Sequence, residues 1–380
     1  MRALLYGLLA ATSLAGVARA DIAVSANDSH TVMKDGAQVA PDPVPPDTLT
    51  VIDLKASPPR IVSTIEAPAS VVGPPTAVAV APDESFAIVT GATKAEKGAP
   101  GGIGPDDRVA VVDLSTTPPR VVQNLTAGPG ATTVRISPDG KLVLIANRSG
   151  GTLSVFTLAD RRLTPAGTVT VGTGAMPGGL AFTKDGKAAL LSRYGDNQIS
   201  VLHIDGTKVT IDPRPITAGV APYTLDVTAD GTLAAVGNMG RGDGDIDTVS
   251  LIDLSAEPFR VVQTISAGRS PEGLRWSPDG KFLAVGAQDG TTKPSSSPFF
   301  RDHGRLLMFA LEGKALRQVA EAPIGSWNQG IAFSRDGRTV LVQNMVERNI
   351  MVFGWDGKTL TPGQPLAIGS GPAAIMTSWP

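Results

Sequence analysis

The chain has 380 residues, a formal net charge of −2 and no cysteine, with 42% hydrophobic and 18% charged residues. This composition is too apolar for a disordered chain and too neutral for electrostatic nucleic-acid binding, and the missing cysteine excludes disulfides, thiolate zinc sites, iron–sulfur clusters and C-x-x-C-H haem attachment. Glycine (43) and proline (31) make 74 of the 380 residues, or 19%, against about 12% in average proteins, which disfavours long helices.

Arg2 precedes an apolar run over residues 3–9, and the segment closes on Ala18-Arg19-Ala20. That is the pattern of a secretory signal with an A-x-A cleavage site, and the run is too short for a membrane span of about 20 residues. Residues 1–20 are therefore expected to be removed and the product to be periplasmic or secreted, without membrane insertion. Loss of Arg2 and Arg19 leaves 31 basic against 35 acidic side chains, a net charge of −4. A lipoprotein anchor is excluded because it requires a cysteine at the cleavage point.

From residue 21 onward one pattern repeats. A short apolar strand leads into a turn, and a β-rich run follows it. The turns are Ser137-Pro138-Asp139-Gly140, Thr183-Lys184-Asp185-Gly186, Thr228-Ala229-Asp230-Gly231, Ser277-Pro278-Asp279-Gly280 and Ser334-Arg335-Asp336-Gly337, with Ala81-Pro82-Asp83-Glu84 as a degenerate copy. Asp-Gly supplies the positive φ that a tight hairpin needs. An alternating third strand follows at 48–54, 108–114, 152–158, 198–204, 248–254, 305–311 and 349–355, and a fourth at 61–65, 121–125, 168–171, 215–217, 261–265, 319–322 and 365–368. Four strands at a period near about 45 residues make a propeller blade. The reading is all-β: one domain over 21–380, a seven-bladed β-propeller of four-stranded antiparallel blades. The chain enters at a second strand (22–25) and ends on an isolated first strand (373–377), so the C-terminal strand is expected to pair with the N-terminal blade and close the ring.

Leu144-Ile145-Ala146-Asn147, Gly151-Thr152-Leu153-Ser154-Val155 and the Ala-Gly/Gly-x-x-Pro corners resemble the YVTN-type seven-bladed propellers, which are related to the lactonase-like propeller superfamily. The resemblance covers residues 21–380. It implies the fold directly, and it implies function weakly, because the matching motifs are those that build turns and strands.

One face of such a ring collects the corners between blades and the loops from second to third strands. Those loops are short at 147–151, 193–197 and 344–348 and long at 27–47, 91–107, 238–247 and 287–304, which marks this top face as the binding face. Candidate ligand-binding residues on it are His30, Asn147, Arg148, Arg193, Tyr194, Tyr223, Asn238, Arg269, Trp327, Asn328 and Asn344. For the asparagines the first reading is structural, as anchors of the loop backbone, with ligand contact as a second role. His30 and His303 lie in long loops on the two blades flanking that of Trp327 and are placed to converge over it. Phe299-Phe300-Arg301-Asp302-His303 joins an aromatic pair to a charge cluster, and Phe299 and Phe300 need either the propeller mouth or a partner to cover. Asp243, Asp245 and Asp247 have the spacing of the start of a calcium loop without its sixth-position glycine or distal glutamate, a weak site for Ca²⁺. No other cofactor is indicated.

With no G-x-S-x-G elbow, P-loop or H-E-x-x-H, the leading expectation is an exported, monomeric binding or scaffold protein that takes a small-molecule or protein ligand on the top face, with no nucleic-acid partner. The superfamily resemblance implies an alternative, a lactonase-like hydrolase of a small anionic lactone in the central funnel, with Glu272 as base, Arg301 as electrophile and His303 as acid. A second alternative is a scaffold for a cofactor-bearing subunit in periplasmic electron transfer, implied by the likeness to the heavy subunits of quinoprotein amine dehydrogenases.

Overall fold

Each Ser/Thr-x-Asp-Gly turn is held by the same three groups. In the Ser137 turn, Ser137 Oγ donates to Asp139 Oδ1 (2.6 Å) and accepts from the Leu142 amide (2.9 Å), while Gly140 supplies φ 71°. The bonds recur at Thr183, Thr228, Ser277 and Ser334. In the degenerate copy Glu84 itself adopts φ 59°. The pattern is legible because every bond in it is local.

The computed structural model describes residues 21–378, so the expected signal segment, residues 1–20, lies outside it. Seven antiparallel sheets form seven blades. Their inner strands are Gly371–Thr377, Val78–Val80, Ala131–Ile136, Pro177–Phe182, Pro222–Val227, Pro271–Trp276 and Asn328–Phe333, for blades 1 to 7. The C-terminal strand Gly371–Thr377 pairs with Ile22–Asp28 in the register Ala23↔Thr377 to Asp28↔Gly371. That pairing completes blade 1 and leaves no open edge where the ring joins. In blades 4 and 7 the outermost strand is broken in two, Lys208–Ile211 with Ile216–Thr217 and Leu360–Pro362 with Leu366–Ala367. Two small hairpins, Val32–Lys34 with Ala37–Val39 and Thr93–Ala95 with Ile103–Pro105, decorate the first two long loops. No helix among the described residues is long and apolar enough to cross a membrane.

Seven apolar clusters hold the ring, one between each pair of neighbouring blades. Val24, Leu49, Val78 and Val112 fill the space between blades 1 and 2, and Ala23, Ile52, Leu341 and Ile375 fill that between blades 7 and 1. Both faces of each blade are thus buried, so second strands such as Leu142–Asn147 are apolar throughout rather than alternating. The outer strands of blades 3 and 6 are longer than their sequence suggests, Arg162–Thr170 and Ala315–Ile324. In blade 3, Asp160 and Arg161 both take positive φ (49° and 60°), so pairing runs up to Ala159↔Arg162 without an Asn-Gly or Asp-Gly signal.

Candidate functional site

Inner strands slip register against second strands near the top face. The bulges lie at Ala131/Thr133, Pro177/Leu180, Pro222/Leu225, Pro271/Gly273 and Asn328/Ile331. A bulge leaves residues out of the ladder and re-aims their side chains. Here it frees Thr132, Tyr223, Glu272 and Gln329, and the last three gather at the top of the central channel. Glu272 is buried and takes hydrogen bonds from Gln288 Nε2 and Gln329. Burial pushes its carboxyl up to about 8, against those two bonds and the attraction of Arg148. Arg148, from a short loop, stacks its guanidinium 4.5 Å from the Tyr194 ring centre and 5.4 Å from that of Tyr223. The two rings meet edge to face at 5.7 Å. Burial also raises the Tyr223 hydroxyl, which accepts from the Gly73 amide.

Gly73 belongs to the corner over residues 70–75, which crosses the channel mouth. Val72 O accepts from Thr132 Oγ1 of blade 3 (3.0 Å), Val71 packs with Trp327 and Met345 of blade 7, and Pro74 abuts Gly178 of blade 4. Gly73 has φ 109°, and a Cβ there would overlap Thr132 Oγ1. The corner therefore plugs the mouth, and the Glu272–Arg148–Tyr223 group lies beneath it.

Beside the plug a cavity of about 180 Å³ opens on the top face over blades 4 to 6. Arg241, Arg269 and Lys293 line it together with Asp245, Asp247, Tyr194, Gln288 and Phe299. Tyr194 and Gln288 also touch the channel group, so the two layers are continuous. Arg269 Nε donates to Gly244 O (2.8 Å) and Lys293 Nζ to Gly242 O, bonds that hold the cations without neutralising them. Asp247 accepts from the Ser270 amide (2.8 Å). Burial, with the charges of Asp243 and Asp245, pushes its carboxyl up to about 6 against that bond and the Arg269 charge. Phe299 packs on Gly244, so half of the expected aromatic pair covers the rim of the cavity.

Several expected site residues are placed elsewhere. Asn147 Nδ2 donates to Thr152 Oγ1 and Ser154 Oγ (both 2.9 Å) while its Oδ1 accepts from Gly128 N (3.0 Å). Asn238 donates to Thr248 and Ser250, and Asn344 donates to Asn349 and accepts from Gly325. All three are buried, and they knit strands and corners rather than face a ligand. Asn328 ties blade 7 to Ala287 O (2.9 Å), and Trp327 lies under the plug with its amide on Thr291 Oγ1 (3.0 Å). Arg193 pairs with Asp196 in its own loop. The expected grouping of Glu272, Arg301 and His303 is corrected. Arg301 and His303 are exposed, bonded to Phe300 O and Asp302, whereas Glu272 is under the plug. The convergence of His30 with His303 is also corrected, because His30 is buried on the blade 2 side against Asp47 (2.8 Å) and Thr93 (3.1 Å).

The calcium expectation changes in the same way. Among the described residues, the group whose ligand atoms lie within 4.8 Å of one another is Asp28, His30 and Asp47, not Asp243, Asp245 and Asp247. In it His30 Nδ1 sits 3.2 Å from Asp28 Oδ1 and 2.8 Å from Asp47 Oδ1. Burial opposes a charged imidazole, but the Asp47 hydrogen bond and the Asp28 charge outweigh it and raise His30 above its usual value. The Ser29, Thr31 and Val71 amides take up the carboxylate oxygens, so the group reads as a satisfied ionic lock rather than an open metal site.

Residues 109–216 match the family described as "Lactonase, 7-bladed beta-propeller", and residues 260–293 match "WD domain, G-beta repeat". The chain is a seven-bladed β-propeller that resembles the lactonase propellers over residues 109–216. Solved structures agree on the fold. A candidate 6-phosphogluconolactonase from Bacteroides uniformis is 18% identical with TM-score 0.72, covering 94% of this chain and 99% of that one. The periplasmic gluconolactonase of Pseudomonas aeruginosa is 18% identical with TM-score 0.69, covering 94% and 98%. A protein of unknown function from Desulfotomaculum acetoxidans is 14% identical with TM-score 0.70, covering 95% and 99%. No curated protein matches the chain in sequence. Of the cavity residues, Arg241, Lys293 and Gln288 and the channel residue Gln329 escaped the sequence reading. Arg241 and Lys293 lie in long top-face loops, the only signal that could have drawn attention to them.

Proposed function

We propose that the protein hydrolyses small anionic lactones in the top-face cavity. The observation that carries this reading is the cavity itself, lined by three cations and two carboxylates, of which Asp247 has its pKa raised to about 6. Arg241, Arg269 and Lys293 bind the carboxylate or phosphate of a sugar-acid lactone, and Arg269 or Lys293 stabilises the charge that develops on the carbonyl oxygen. Asp247, ionised above pH 6, takes a proton from the attacking water and returns it to the ring oxygen as the C–O bond breaks. Glu272 is a positioning residue: protonated at neutral pH, it holds Gln288 at the cavity floor without adding a negative charge to repel the substrate. The family match and the gluconolactonase neighbours favour this reading over a binding scaffold.

The test is hydrolysis of glucono-1,5-lactone and its 6-phosphate, measured above spontaneous opening. Turnover of both is expected, with Asp247→Asn lowering kcat/KM by about 10² to 10⁴ and Arg269→Met raising KM. Background rates across the panel would leave a binding protein. We also place the protein outside the cytoplasm, on the signal pattern of residues 1–20. N-terminal sequencing of the exported protein is expected to begin at Asp21.

A further inference from the structure

At the opposite end of the channel, the Ser/Thr-x-Asp-Gly turns enclose a second cavity, of about 410 Å³. Its wall is apolar on several sides, with Val80, Ile136, Phe182, Val227 and Met376 contributing. Four cations reach it, Arg135, Lys184, Arg275 and Arg335, against one carboxylate, Asp226. Two of these cations are matched: Arg275 pairs with Asp226 (3.1 Å) and Arg335 with Glu84 (3.1 Å). Arg135 is not. Its Nη1 donates only to the carbonyls of Val134 (3.1 Å) and Thr76 (3.5 Å), and among the described residues no carboxylate pairs with it.

A second group in the same cavity is unpartnered. Thr377, at the end of the strand that closes the ring, is 2% exposed and its Oγ1 has no hydrogen-bond partner. A buried hydroxyl without a partner carries a desolvation cost, and the half-buried Arg135 guanidinium, which feels Asp226 only at a distance, keeps charge that no paired carboxylate offsets; one anionic ligand answers both. Burial, and then the neighbouring Arg275 charge, press Arg135 down to about 10, so it is charged at neutral pH.

We propose that this cavity binds a monocarboxylate with an aliphatic body, the carboxylate on Arg135 and the Thr377 hydroxyl and the chain against Phe182, Val227 and Met376. The volume suits it. A cavity of this size holds on the order of a dozen waters at about 30 Å³ each, more than a bare acetate needs. The site lies on the face away from the lactone cavity and does not depend on that reading.

The experiment is isothermal titration of the purified protein with hexanoate, octanoate, acetate and octan-1-ol. Octanoate is expected to bind one to one and about fourfold tighter than hexanoate per added methylene, the equivalent of about 0.8 kcal/mol for each buried CH₂. Acetate and octan-1-ol, each lacking one half of the match, are expected to bind at least about tenfold more weakly than octanoate. Arg135→Gln should weaken octanoate by a similar factor, Arg135→Lys should recover part of it, and Asp247→Asn should leave it unchanged. Octanol binding as tightly as octanoate, undiminished binding by R135Q, or no binding of any acid overturns the proposal. If R135Q does not fold, salt decides on the wild-type protein. Octanoate affinity that falls with NaCl while octanol affinity does not supports the site, and identical salt responses refute it.

Discussion

The proposed chemistry fixes a pH dependence. If ionised Asp247 is the base, kcat/KM must rise with pH through its free-enzyme pKa, about 6. A carboxyl group of that pKa is about one-eleventh ionised at pH 5 and ten-elevenths ionised at pH 7, so the rate should climb about tenfold across this interval. Asp245→Asn removes a like charge that raises the pKa, so the limb should move to lower pH. Asp247→Asn should flatten it. The assay is acid release from glucono-1,5-lactone at constant ionic strength, with spontaneous hydrolysis subtracted at each pH. A profile flat from pH 5 to 7 in the wild-type protein, or a limb that persists in D247N, would refute the assignment of Asp247.

Three further outcomes follow from the same contacts. Burial raises the Glu272 carboxyl from its ordinary 4.5 to about 8 in the folded state, so its proton favours that state; the stability is complete below 4.5 and is lost as pH rises through about 8. Glu272→Gln, which cannot ionise, should therefore gain in Tm relative to wild type between pH 6 and 9, and a constant difference would show that Glu272 does not titrate there. Gly73→Ala should destabilise by about 2–3 kcal/mol, from a strained positive φ and the overlap with Thr132, read as a lower midpoint in urea; an unchanged midpoint would mean that the plug is not packed. Asn147→Ala strips three hydrogen bonds of a buried side chain and should cost about 2–4 kcal/mol in the same assay, whereas a cost below about 1 kcal/mol would free Asn147 for ligand contact.

The propeller was legible because its determinants are short-range. Asp139, Gly140 and Ser137 bond within five residues of one another, and the apolar runs beside them alternate with turns at a regular spacing. The buried roles of Asn147 and Asn344 were legible as one of two options, since the hydroxyls and the asparagine side chain they meet lie within seven residues. The long blade 3 hairpin was not, because Asp160 and Arg161 take positive φ with no glycine or asparagine to announce it.

The sequence by itself determined the fold, the ring closure through a C-terminal strand expected at 373–377 and the face with the long loops, and it named Arg148, Tyr194, Tyr223, Arg269 and Glu272 as candidates. Only the tertiary structure decided which of these meet. The bulges that turn Tyr223, Glu272 and Gln329 to the axis depend on a partner strand. The plug at residues 70–75 joins blades 3, 4, 5 and 7, and the cavity draws Arg241 and Lys293 from loops some fifty residues apart. The separation of His30 from His303 rests on the same cause. Contacts that span blades are set by the closed ring, and a local pattern carries no information about them.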